Sequence, residues 1–335
     1  MKIILFLPDL YGGGAERVCV NLANHLSKKH EVHLVLVREF GPLFDLLESQ
    51  VHVKILGVKK VFMSGLKLYQ YVQQIRADVI LSALDSANIV ATLVAKIAHI
   101  PNIVTIHDYI SLKYKDAFYM KYFLKSITYA SEIVSVSMGV KEDLKKYGIK
   151  SKVIYNPVVS HLKHSTKEKV IVAIGRLEEA KDFRTLINAF RIFNQKYKDY
   201  KLFILGEGSQ KTFLKNEAFP LNIYFLGFVN PDQYLSKASL LVNSSVREPF
   251  GLVLVEALSY GVNVVATKTD GAKEVLAEGK YGFLAEVGNS LNIASAMEQA
   301  IENPIDEDDL KQRAKVFSIE TITLEYEKLL VEVCL

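Results

Sequence analysis

The stretch that decides the fold lies near the amino terminus and reads Ile3-Ile-Leu-Phe-Leu-Pro-Asp-Leu-Tyr-Gly-Gly-Gly-Ala-Glu-Arg17. It joins a short apolar run, typical of a buried strand, to three glycines and then to a segment with helical periodicity. Such glycines let backbone N–H groups and the positive end of a helix approach an anion, and a tight turn by itself also requires them. The dinucleotide fingerprint G-x-G-x-x-G is not met, because Arg17 stands three residues after Gly14. The stretch predicts a βα unit and leaves both roles of its glycines open.

The βα alternation continues along the whole chain. In the first half the predicted strands are 3–7, 32–37, 51–56, 79–81, 103–106 and 133–136, with helical segments such as 15–28 and 87–99 between them. The pattern restarts with strands 170–174, 201–205, 222–225, 240–242 and 262–266, helical segments 183–196, 233–238 and 253–259, and a last helix over about 320–333. Alternation of this kind predicts parallel sheets covered by helices.

Length and composition indicate two folded domains. The chain has 335 residues, of which half are hydrophobic and 23% are charged, so it buries enough apolar surface to fold. The polar stretch 156–166, after a strand-like run at 152–155, predicts the linker between the domains. Cys19 and Cys334 stand far apart with no zinc-ligand spacing, which favours a reducing compartment. No stretch is long and apolar enough for a signal peptide or a membrane span, so we expect a cytoplasmic protein.

The segment most informative about function is Arg247-Glu-Pro-Phe-Gly-Leu-Val-Leu-Val-Glu256. Seven residues separate Glu248, in a loop, from Glu256, which the periodicity places inside a helix among apolar residues. A carboxylate in such surroundings is costly unless it binds hydroxyls or a cation. A helix with an acidic start and one solvated glutamate is the simpler alternative, but it does not explain Gly251 or the apolar neighbours of Glu256. We therefore interpret the two glutamates as parts of a binding site.

This segment resembles the E-x7-E signature of family 4 glycosyltransferases, which are retaining enzymes with the GT-B fold. Val172-Ala-Ile-Gly-Arg-Leu-Glu-Glu-Ala-Lys-Asp182 resembles the family segment whose arginine and lysine bind the diphosphate of a sugar nucleotide. Leu205-Gly-Glu-Gly208 resembles the G-x-G turn after the next strand, and Phe225-Leu-Gly-Phe-Val229 the segment around the base.

The resemblance extends over essentially the whole chain. Residues 12–17 resemble the N-terminal glycine loop of the family, and His107-Asp108 resembles its HD pair at a strand end. One segment departs from the pattern: Thr269-Asp-Gly-Ala-Lys-Glu274 replaces the usual Gly-Gly-x-Pro-Glu.

The family resemblance implies an α/β fold of the GT-B type, in which two Rossmann-like domains turn their parallel sheets toward a central cleft. Residues 1–157 would form an acceptor-binding domain, completed by a C-terminal helix at 318–335. Residues 158–317 would form the domain that binds the nucleotide-sugar donor.

The resemblance also implies roles for single residues. The catalytic group would comprise His107, Arg176, Lys181 and Glu248. The donor would be bound by Gly13, Gly14, Gly208, Phe228, Val229, Phe250, Gly251, Leu252 and Glu256. Asp9, Arg17 and Asp108 are the expected residues on the acceptor side.

Physical reasoning supports the two cations in this scheme. A leaving nucleoside diphosphate gains negative charge as the glycosidic bond breaks, so fixed cations beside it lower the barrier. Arg176 and Lys181 precede a predicted helix, where cations without an anion would be mildly unfavourable. Glu256 would accept hydrogen bonds from the ribose hydroxyls. His107, at the end of a predicted strand, would bind the donor sugar, although a lone histidine there is commonly a packed or solvated residue.

The implied function is retaining transfer of a sugar from a nucleotide diphosphate donor, with UDP expected, to a hydroxyl of a lipid-linked saccharide or a polysaccharide or glycan precursor. We expect no cofactor and no metal, because no carboxylate-rich site is near the two cations. A nucleotide-sugar epimerase of the same fold and a non-catalytic nucleotide-sugar-binding subunit are the alternatives. The presence of Glu248, Arg176 and Lys181 argues against the non-catalytic subunit.

The positive charge is concentrated in the first half of the chain. Residues 1–158 contain 20 Lys and Arg against 13 Asp and Glu, and the rest contains 21 against 24. Residues 111–125 interleave four lysines with five aromatic residues, a pattern that suits the surface of an anionic bilayer. An amphipathic helix with solvated lysines fits this pattern equally well. No RNA-binding motif supports a nucleic-acid partner, and peripheral attachment to the cytoplasmic face of the inner membrane stays as an expectation.

Overall fold

The computed structural model describes residues 1–113, 117–159 and 166–335. The chain divides into two compact units. Unit 1 comprises Met1–Val158 and Ser318–Leu335, and unit 2 comprises Val159–Phe317. The predicted linker at 156–166 lies partly outside the described residues.

Unit 1 is built on a seven-stranded parallel sheet. Its strands are β1 (Lys2–Leu7), β2 (Glu31–Leu36), β3 (His52–Ile55), β4 (Val79–Ala83), β5 (Asn102–Ile106), β6 (Glu132–Ser135) and β7 (Lys152–Val153). The spatial order is β3-β2-β1-β4-β5-β6-β7. The chain order therefore reverses direction at β1, between β2 and β4, and the carboxyl ends of strands at such a point are where α/β sheets bind ligands.

Helices cover the sheet of unit 1. They are α1 (Gly14–Leu26), α2 (Gly65–Ile75), α3 (Asp85–Ala98), α4 (Ile110–Lys113), α5 (Ala117–Ile127) and α6 (Met138–Lys145), with 3-10 helices at Pro42–Leu46 and Val61–Ser64. Apolar faces of β1, β2 and β4 pack with α2 and α3 into one core. This burial of apolar side chains between helices and sheet is the main force that holds the unit together.

The last helix of the chain belongs to unit 1 and packs on α1. This C-terminal helix, Ile319–Cys334, has Tyr326 almost completely buried. Ion pairs also join it to other parts of unit 1: Lys29 Nζ lies 3.0 Å from a carboxylate oxygen of Glu327, and Lys152 Nζ on β7 lies 2.5 Å from one of Glu332. The chain thus returns to unit 1 after completing unit 2.

Unit 2 is built on a six-stranded parallel sheet. Its strands are β8 (Glu168–Ile174), β9 (Lys201–Leu205), β10 (Ile223–Gly227), β11 (Ala238–Asn243), β12 (Asn263–Thr267) and β13 (Phe283–Ala285), in the order β10-β9-β8-β11-β12-β13. Its helices are α7 (Phe183–Lys196), α8 (Lys211–Ala218), α9 (Asp232–Leu235), α10 (Leu252–Ser259), α11 (Asp270–Val275), α12 (Ser290–Glu302) and α13 (Glu307–Lys315), with a 3-10 helix at Glu179–Lys181. The direction reverses at β8, between β9 and β11.

The prediction of two α/β domains with parallel sheets is confirmed. One predicted helix boundary is wrong: the helical segment 233–238 ends as α9 at Leu235, and Ala238 already begins β11. Ala238 is fully buried in the sheet, so its apolar side chain matched either element in the sequence. Among the elements that were not predicted are α2, α8 and β13, of which β13 has only three residues.

Candidate functional site

The predicted donor site lies in unit 2, where the loops after β8 and β11 meet. These strands are neighbours, so both loops leave the same edge of the sheet. Two hydrogen bonds join the loops: Val246 N donates to the carbonyl oxygen of Ala180 at 2.9 Å, and Ser244 Oγ donates to that of Lys181 at 2.8 Å. The reversal of strand order at β8 therefore brings together segments that are more than sixty residues apart in sequence.

The centre of this site is an ion pair between two predicted catalytic residues. Lys181 Nζ donates to Glu248 Oε2 at 2.5 Å, and the Glu248 side chain is only 12% exposed. Asn243 Nδ2 and Ser245 Oγ each donate to the same oxygen at 3.3 Å. Three donors from two loops converge on one carboxylate oxygen, which fixes the orientation of the carboxylate.

Three of these partners were missed by the sequence analysis. Asn243 ends β11, Ser244 and Ser245 follow it, and all three are buried. A polar run at the end of an apolar strand was the available signal, because buried polar side chains persist only where they are hydrogen-bonded. Ser245 N also donates to Asn243 Oδ1 at 3.0 Å, so the run supports itself as well as Glu248.

Glycines allow the loops after β8 and β9 to pack closely. A Cβ on Gly206, which has φ +138°, would overlap the carbonyl oxygen of Gly175, and one on Gly208 would overlap that of Leu177. Leu177 N donates to the carbonyl oxygen of Glu207 at 2.9 Å. The turn 205–208 thus has a packing role, since its two glycines let the backbone of the Arg176 loop lie directly against it.

Arg176 has an exposed side chain at the carboxyl end of β8. Next to it, Ser209 donates its backbone N–H and its hydroxyl to the Glu178 carboxylate, at 3.0 and 2.8 Å. These bonds, together with the charge of Arg176, hold the pKa of Glu178 below its usual range. The Glu178 carboxylate is therefore hydrogen-bonded to Ser209, and the guanidinium of Arg176 faces solvent beside the site.

The E-x7-E segment spans the turn into α10. Gly251 precedes the helix with φ +96°, a left-handed conformation that favours glycine. Phe250 is buried and packs edge-to-face on Phe317, with ring centroids 5.5 Å apart. Leu252 begins the helix, and Glu256 lies half-buried on it. The predicted position of Glu256 inside a helix is confirmed, and its side chain remains partly accessible.

The segment that departs from the family pattern supports the glutamate loop. Gly271, in the first turn of α11, donates its N–H to the carbonyl oxygen of Glu248 at 3.0 Å. A Cβ on Gly271 would lie 2.5 Å from that oxygen and 2.6 Å from both N and O of Phe250. The glycine is therefore needed for close approach of two backbones, a role that its sequence context did not indicate.

The remaining residues of unit 2 that were predicted to bind the donor lie after β10. Phe228 and Val229 are both exposed, immediately beyond the carboxyl end of that strand. Gly206 N donates to the carbonyl oxygen of Gly227 at 2.8 Å, which joins this segment to the turn after β9. Predicted donor residues thus follow β8, β9, β10 and β11 along one edge of the sheet.

His107 lies in unit 1, directly after β5, and is oriented by a buried polar network. Thr105 Oγ donates to the carbonyl oxygen of Ser82 at 2.9 Å, and the same oxygen lies 3.1 Å from His107 Nε2. Because the hydroxyl has one hydrogen and gives it to Ser82, Nε2 must be the donor to Thr105. The network continues from Ser82 to Asn88, whose Nδ2 donates to the carbonyl oxygen of Thr105 at 3.0 Å. In this arrangement of hydrogen bonds, the His107 ring carries a proton on Nε2.

Replacing Thr105 with valine is expected to release this tautomer. The variant keeps the side-chain shape but loses the acceptor for His107 Nε2–H, so the imidazole ¹⁵N shifts should move toward a mixed population. Thr92→Val is the matched control, because Thr92 donates to the Asn88 carbonyl in the same network without contacting His107. Both variants should lose about 1–3 kcal/mol of unfolding free energy. Equal His107 shifts in the two variants would contradict the assignment.

Asp9, which the sequence analysis predicts on the acceptor side, lines a cavity of about 630 Å³ at the carboxyl ends of β1, β2 and β4. Its carboxylate forms an ion pair with Arg38 and accepts a hydrogen bond from Tyr11 N at 3.3 Å. The exposed ring of Tyr11 stacks on Phe40, with centroids 5.6 Å apart and planes 12° apart. The cavity thus offers a carboxylate and an aromatic surface side by side.

The other predicted residues of unit 1 lie near this edge. Gly13 precedes α1, and Gly14 and Arg17 are in its first turn. A Cβ on Gly13 would overlap the Glu16 carboxylate, so an anion at this helix end would meet a like charge. Asp108 follows His107, and its Oδ1 accepts a hydrogen bond from Tyr109 N at 2.8 Å.

The aromatic and basic stretch 111–125 is described in part. Residues 114–116 and the side chains of Lys113, Phe118 and Tyr119 lie outside the described residues. On α5, Phe123 is fully buried, whereas Lys121, Tyr122 and Lys125 are exposed. The described part is an amphipathic helix that places one of its aromatic rings in the core.

The described residues contain neither a cluster of metal ligands nor a membrane-spanning helix. Over residues 1–113, 117–159 and 166–335, no three His, Cys, Asp or Glu side chains come together as metal ligands would. No helix in the described part of the chain has the length and apolarity to cross a bilayer.

Comparison with known families defines the class of the protein. Residues 12–161 match the family described as Glycosyltransferase Family 4, and residues 159–317 match Glycosyl transferases group 1. Together the two matches span most of the chain. The two parallel-sheet domains are those of the GT-B fold, and the chain belongs to the family 4 glycosyltransferases.

Individual relatives are similar over nearly their full length. One is an N-acetylgalactosamine-N,N'-diacetylbacillosaminyl-diphospho-undecaprenol 4-alpha-N-acetylgalactosaminyltransferase of Campylobacter jejuni, 29% identical over 94% of this chain and 93% of that one. Another, from the same organism, is a GalNAc-alpha-(1->4)-GalNAc-alpha-(1->3)-diNAcBac-PP-undecaprenol alpha-1,4-N-acetyl-D-galactosaminyltransferase, 28% identical over 99% of both chains. The crystal structure of HepE from Anabaena in complex with UDP-glucose has a TM-score of 0.87 with 23% identity, over 99% of this chain and 100% of that one.

Proposed function

We propose that this glycosyltransferase moves a sugar from a UDP-sugar to a hydroxyl of a lipid-diphosphate-linked saccharide, with retention of the anomeric configuration. The observation that carries the proposal is the ion pair of Lys181 and Glu248, set at the point of unit 2 where the strand order reverses. Two similar proteins are named for α-linked transfer of N-acetylgalactosamine to saccharides on diphospho-undecaprenol. A protein of the same fold was crystallised with UDP-glucose.

The charges of the site suit a diphosphate leaving group. Lys181 and Arg176 would neutralise the negative charge that develops on the diphosphate, and Lys181 would do so without leaving Glu248. The N-terminus of α10 adds backbone N–H groups, because Gly251 has no side chain with which to cap them. The Glu248 carboxylate would accept a hydrogen bond from a hydroxyl of the transferred sugar. The Glu256 carboxylate would accept hydrogen bonds from the ribose hydroxyls.

We propose that the acceptor binds to unit 1. The cavity beside Asp9 presents a carboxylate for saccharide hydroxyls and the stacked rings of Tyr11 and Phe40 for the apolar face of a sugar. His107 is assigned a hydrogen bond to the donor sugar. In a front-face reaction the leaving phosphate takes the acceptor proton, so no side chain is required as general base.

The test is an assay of product chemistry. A panel of UDP-sugars is incubated with undecaprenyl-diphosphate saccharides, and the products are identified by mass spectrometry and the new linkage by NMR. An α-linked product from an α-linked UDP-sugar supports the proposal. A β-linked product would exclude retention, conversion of the donor without acceptor would indicate an epimerase, and UDP binding with no conversion would indicate a non-catalytic subunit.

Transfer is expected to survive removal of divalent metals. The proposal assigns Arg176 and Lys181 to the diphosphate, and these two cations would supply the positive charge that a metal would otherwise supply. The measurement is the initial rate of transfer before and after treatment with EDTA, and a rate within about twofold is expected. A complete loss that Mg²⁺ or Mn²⁺ restores would mean that the roles of Arg176 and Lys181 have been misassigned.

A further inference from the structure

One surface of unit 1 exposes large apolar side chains next to lysines. In the 3-10 helix Val61–Ser64 and the first turn of α2, Phe62, Met63 and Leu66 are 55%, 63% and 70% exposed. On α3, Leu93 and Ile97 are exposed and four residues apart, so they share one face of that helix. Scattered apolar residues are ordinary on a protein surface, but consecutive ones this exposed favour a contact with another apolar phase.

These residues belong to adjoining elements. The 3-10 helix and α2 both pack against α3, and a Cβ on Gly65 would lie 4.0 Å from Val90 of α3. Inner faces of the two helices join the apolar core through Leu68, Val72 and Val94. Phe62, Met63, Leu66, Leu93 and Ile97 are exposed apolar residues of these adjoining elements, and together they are called the outer apolar face.

The charge near the outer apolar face is mainly positive, with Asp85 at the start of α3 as an acidic exception. Residues 49–77 contain Lys54, Lys59, Lys60, Lys67 and Arg76, and no Asp or Glu. Residues 86–107 likewise contain no Asp or Glu. Lys96, on α3, lies over the exposed ring of Tyr129 at 3.7 Å from its centroid. This part of unit 1 therefore exposes apolar side chains, a tyrosine ring and several lysines. Such a combination suits the interface of an anionic bilayer.

The outer apolar face adjoins the cavity of unit 1. Val61, the residue before Phe62, lines the cavity together with Asp9 and Arg38. If the lipid of the acceptor stayed in a bilayer that contacts Phe62, its saccharide would have to extend only past Val61 to enter the cavity. This step rests on the proposed function, because it takes that cavity as the acceptor site.

We propose that unit 1 docks on anionic phospholipid bilayers through the outer apolar face, with Phe62 and Met63 inserted and Lys59 and Lys60 on the headgroups. The 111–125 stretch is the rival surface. Its described part supplies Lys121, Tyr122 and Lys125, whereas Phe123 points into the core and is unavailable to a membrane.

The test measures binding of the full chain to vesicles by flotation. Vesicles of phosphatidylglycerol with phosphatidylcholine are compared with phosphatidylcholine alone, at low and high salt. The test variant is Phe62→Ser with Met63→Ser. The matched control is Leu291→Ser with Val287→Ser, which removes two exposed apolar side chains from unit 2. A third variant, Lys121→Ser with Lys125→Ser, examines the rival surface. Thermal midpoints and UDP affinity establish that each variant is folded.

The wild type should float with the anionic vesicles, and high salt should release it. The partition coefficient of the Phe62 and Met63 variant onto these vesicles should be lower by about tenfold or more. The unit 2 control and the Lys121 and Lys125 variant should bind as the wild type does. No binding by the wild type at low salt, unchanged binding by the Phe62 and Met63 variant, or an equal loss in the Lys121 and Lys125 variant would each overturn the proposal. UDP affinity is read independently of vesicles, so failure of the proposed function would appear there and not in flotation.

Discussion

Lys181→Ala is expected to lower the affinity for UDP by about 10- to 150-fold, the equivalent of roughly 1.5–3 kcal/mol for one charge-assisted contact. The substitution also leaves the Glu248 carboxylate, which is largely buried, without the cation that lies 2.5 Å away. A dianionic phosphate would then approach an uncompensated negative charge. Arg176→Ala should weaken UDP binding only through the loss of a charge-assisted contact. We therefore expect a smaller loss of UDP affinity than for Lys181→Ala.

Calorimetry with UDP and with uridine separates the diphosphate from the rest of the ligand. Uridine should bind the Lys181 variant almost as it binds the wild type. Lys237→Ala is the matched control, because Lys237 pairs with Glu168 at 3.3 Å in unit 2, at the opposite end of β8 from the site. If uridine and UDP lose affinity equally, Lys181 does not bind the diphosphate.

Gly271→Ala is expected to abolish most of the transfer activity. Its Cβ would lie within 2.5–2.6 Å of the backbone of Glu248 and Phe250, so the loop that presents Glu248 must move. Overpacking of this kind costs about 1–3 kcal/mol of unfolding free energy. Because the shift falls on the backbone that is proposed to bind the donor, the loss of UDP affinity should exceed what a stability change of that size explains.

Gly288→Ala distinguishes a steric cause from the general cost of replacing a glycine. Gly288 has φ +72°, but a Cβ there would meet nothing within 4 Å. That variant should lose about 1 kcal/mol of stability through backbone strain while it binds UDP as the wild type does. Chemical denaturation measures the stability of both variants, and calorimetry measures their UDP binding. Normal UDP affinity in the Gly271 variant would show that its backbone contact does not position Glu248.

Patterns within single segments were predictable because they reflect local physical chemistry. The helix 183–196 and the strand 201–205 were predicted with the boundaries that the structure has, since one has clear apolar periodicity and the other is a short apolar run. Side chains that must face a core impose such periods on the sequence, whatever the rest of the chain does. The boundary at Ala238 was missed because an apolar residue between two elements fits either one.

The sequence by itself determined the class of fold and the residue types of the donor site, through the βα alternation and the spacing from Glu248 to Glu256. Only the tertiary structure decided which groups meet. Neighbouring positions of β8 and β11 in the sheet bring Lys181 to Glu248, Asn243 and Ser245, and the approach of α11 makes Gly271 a support of the same loop. The outer apolar face also became visible only in the fold. Local periodicity records which side chains are buried, whereas contacts between distant segments depend on strand order and backbone approach, which leave no period in the sequence.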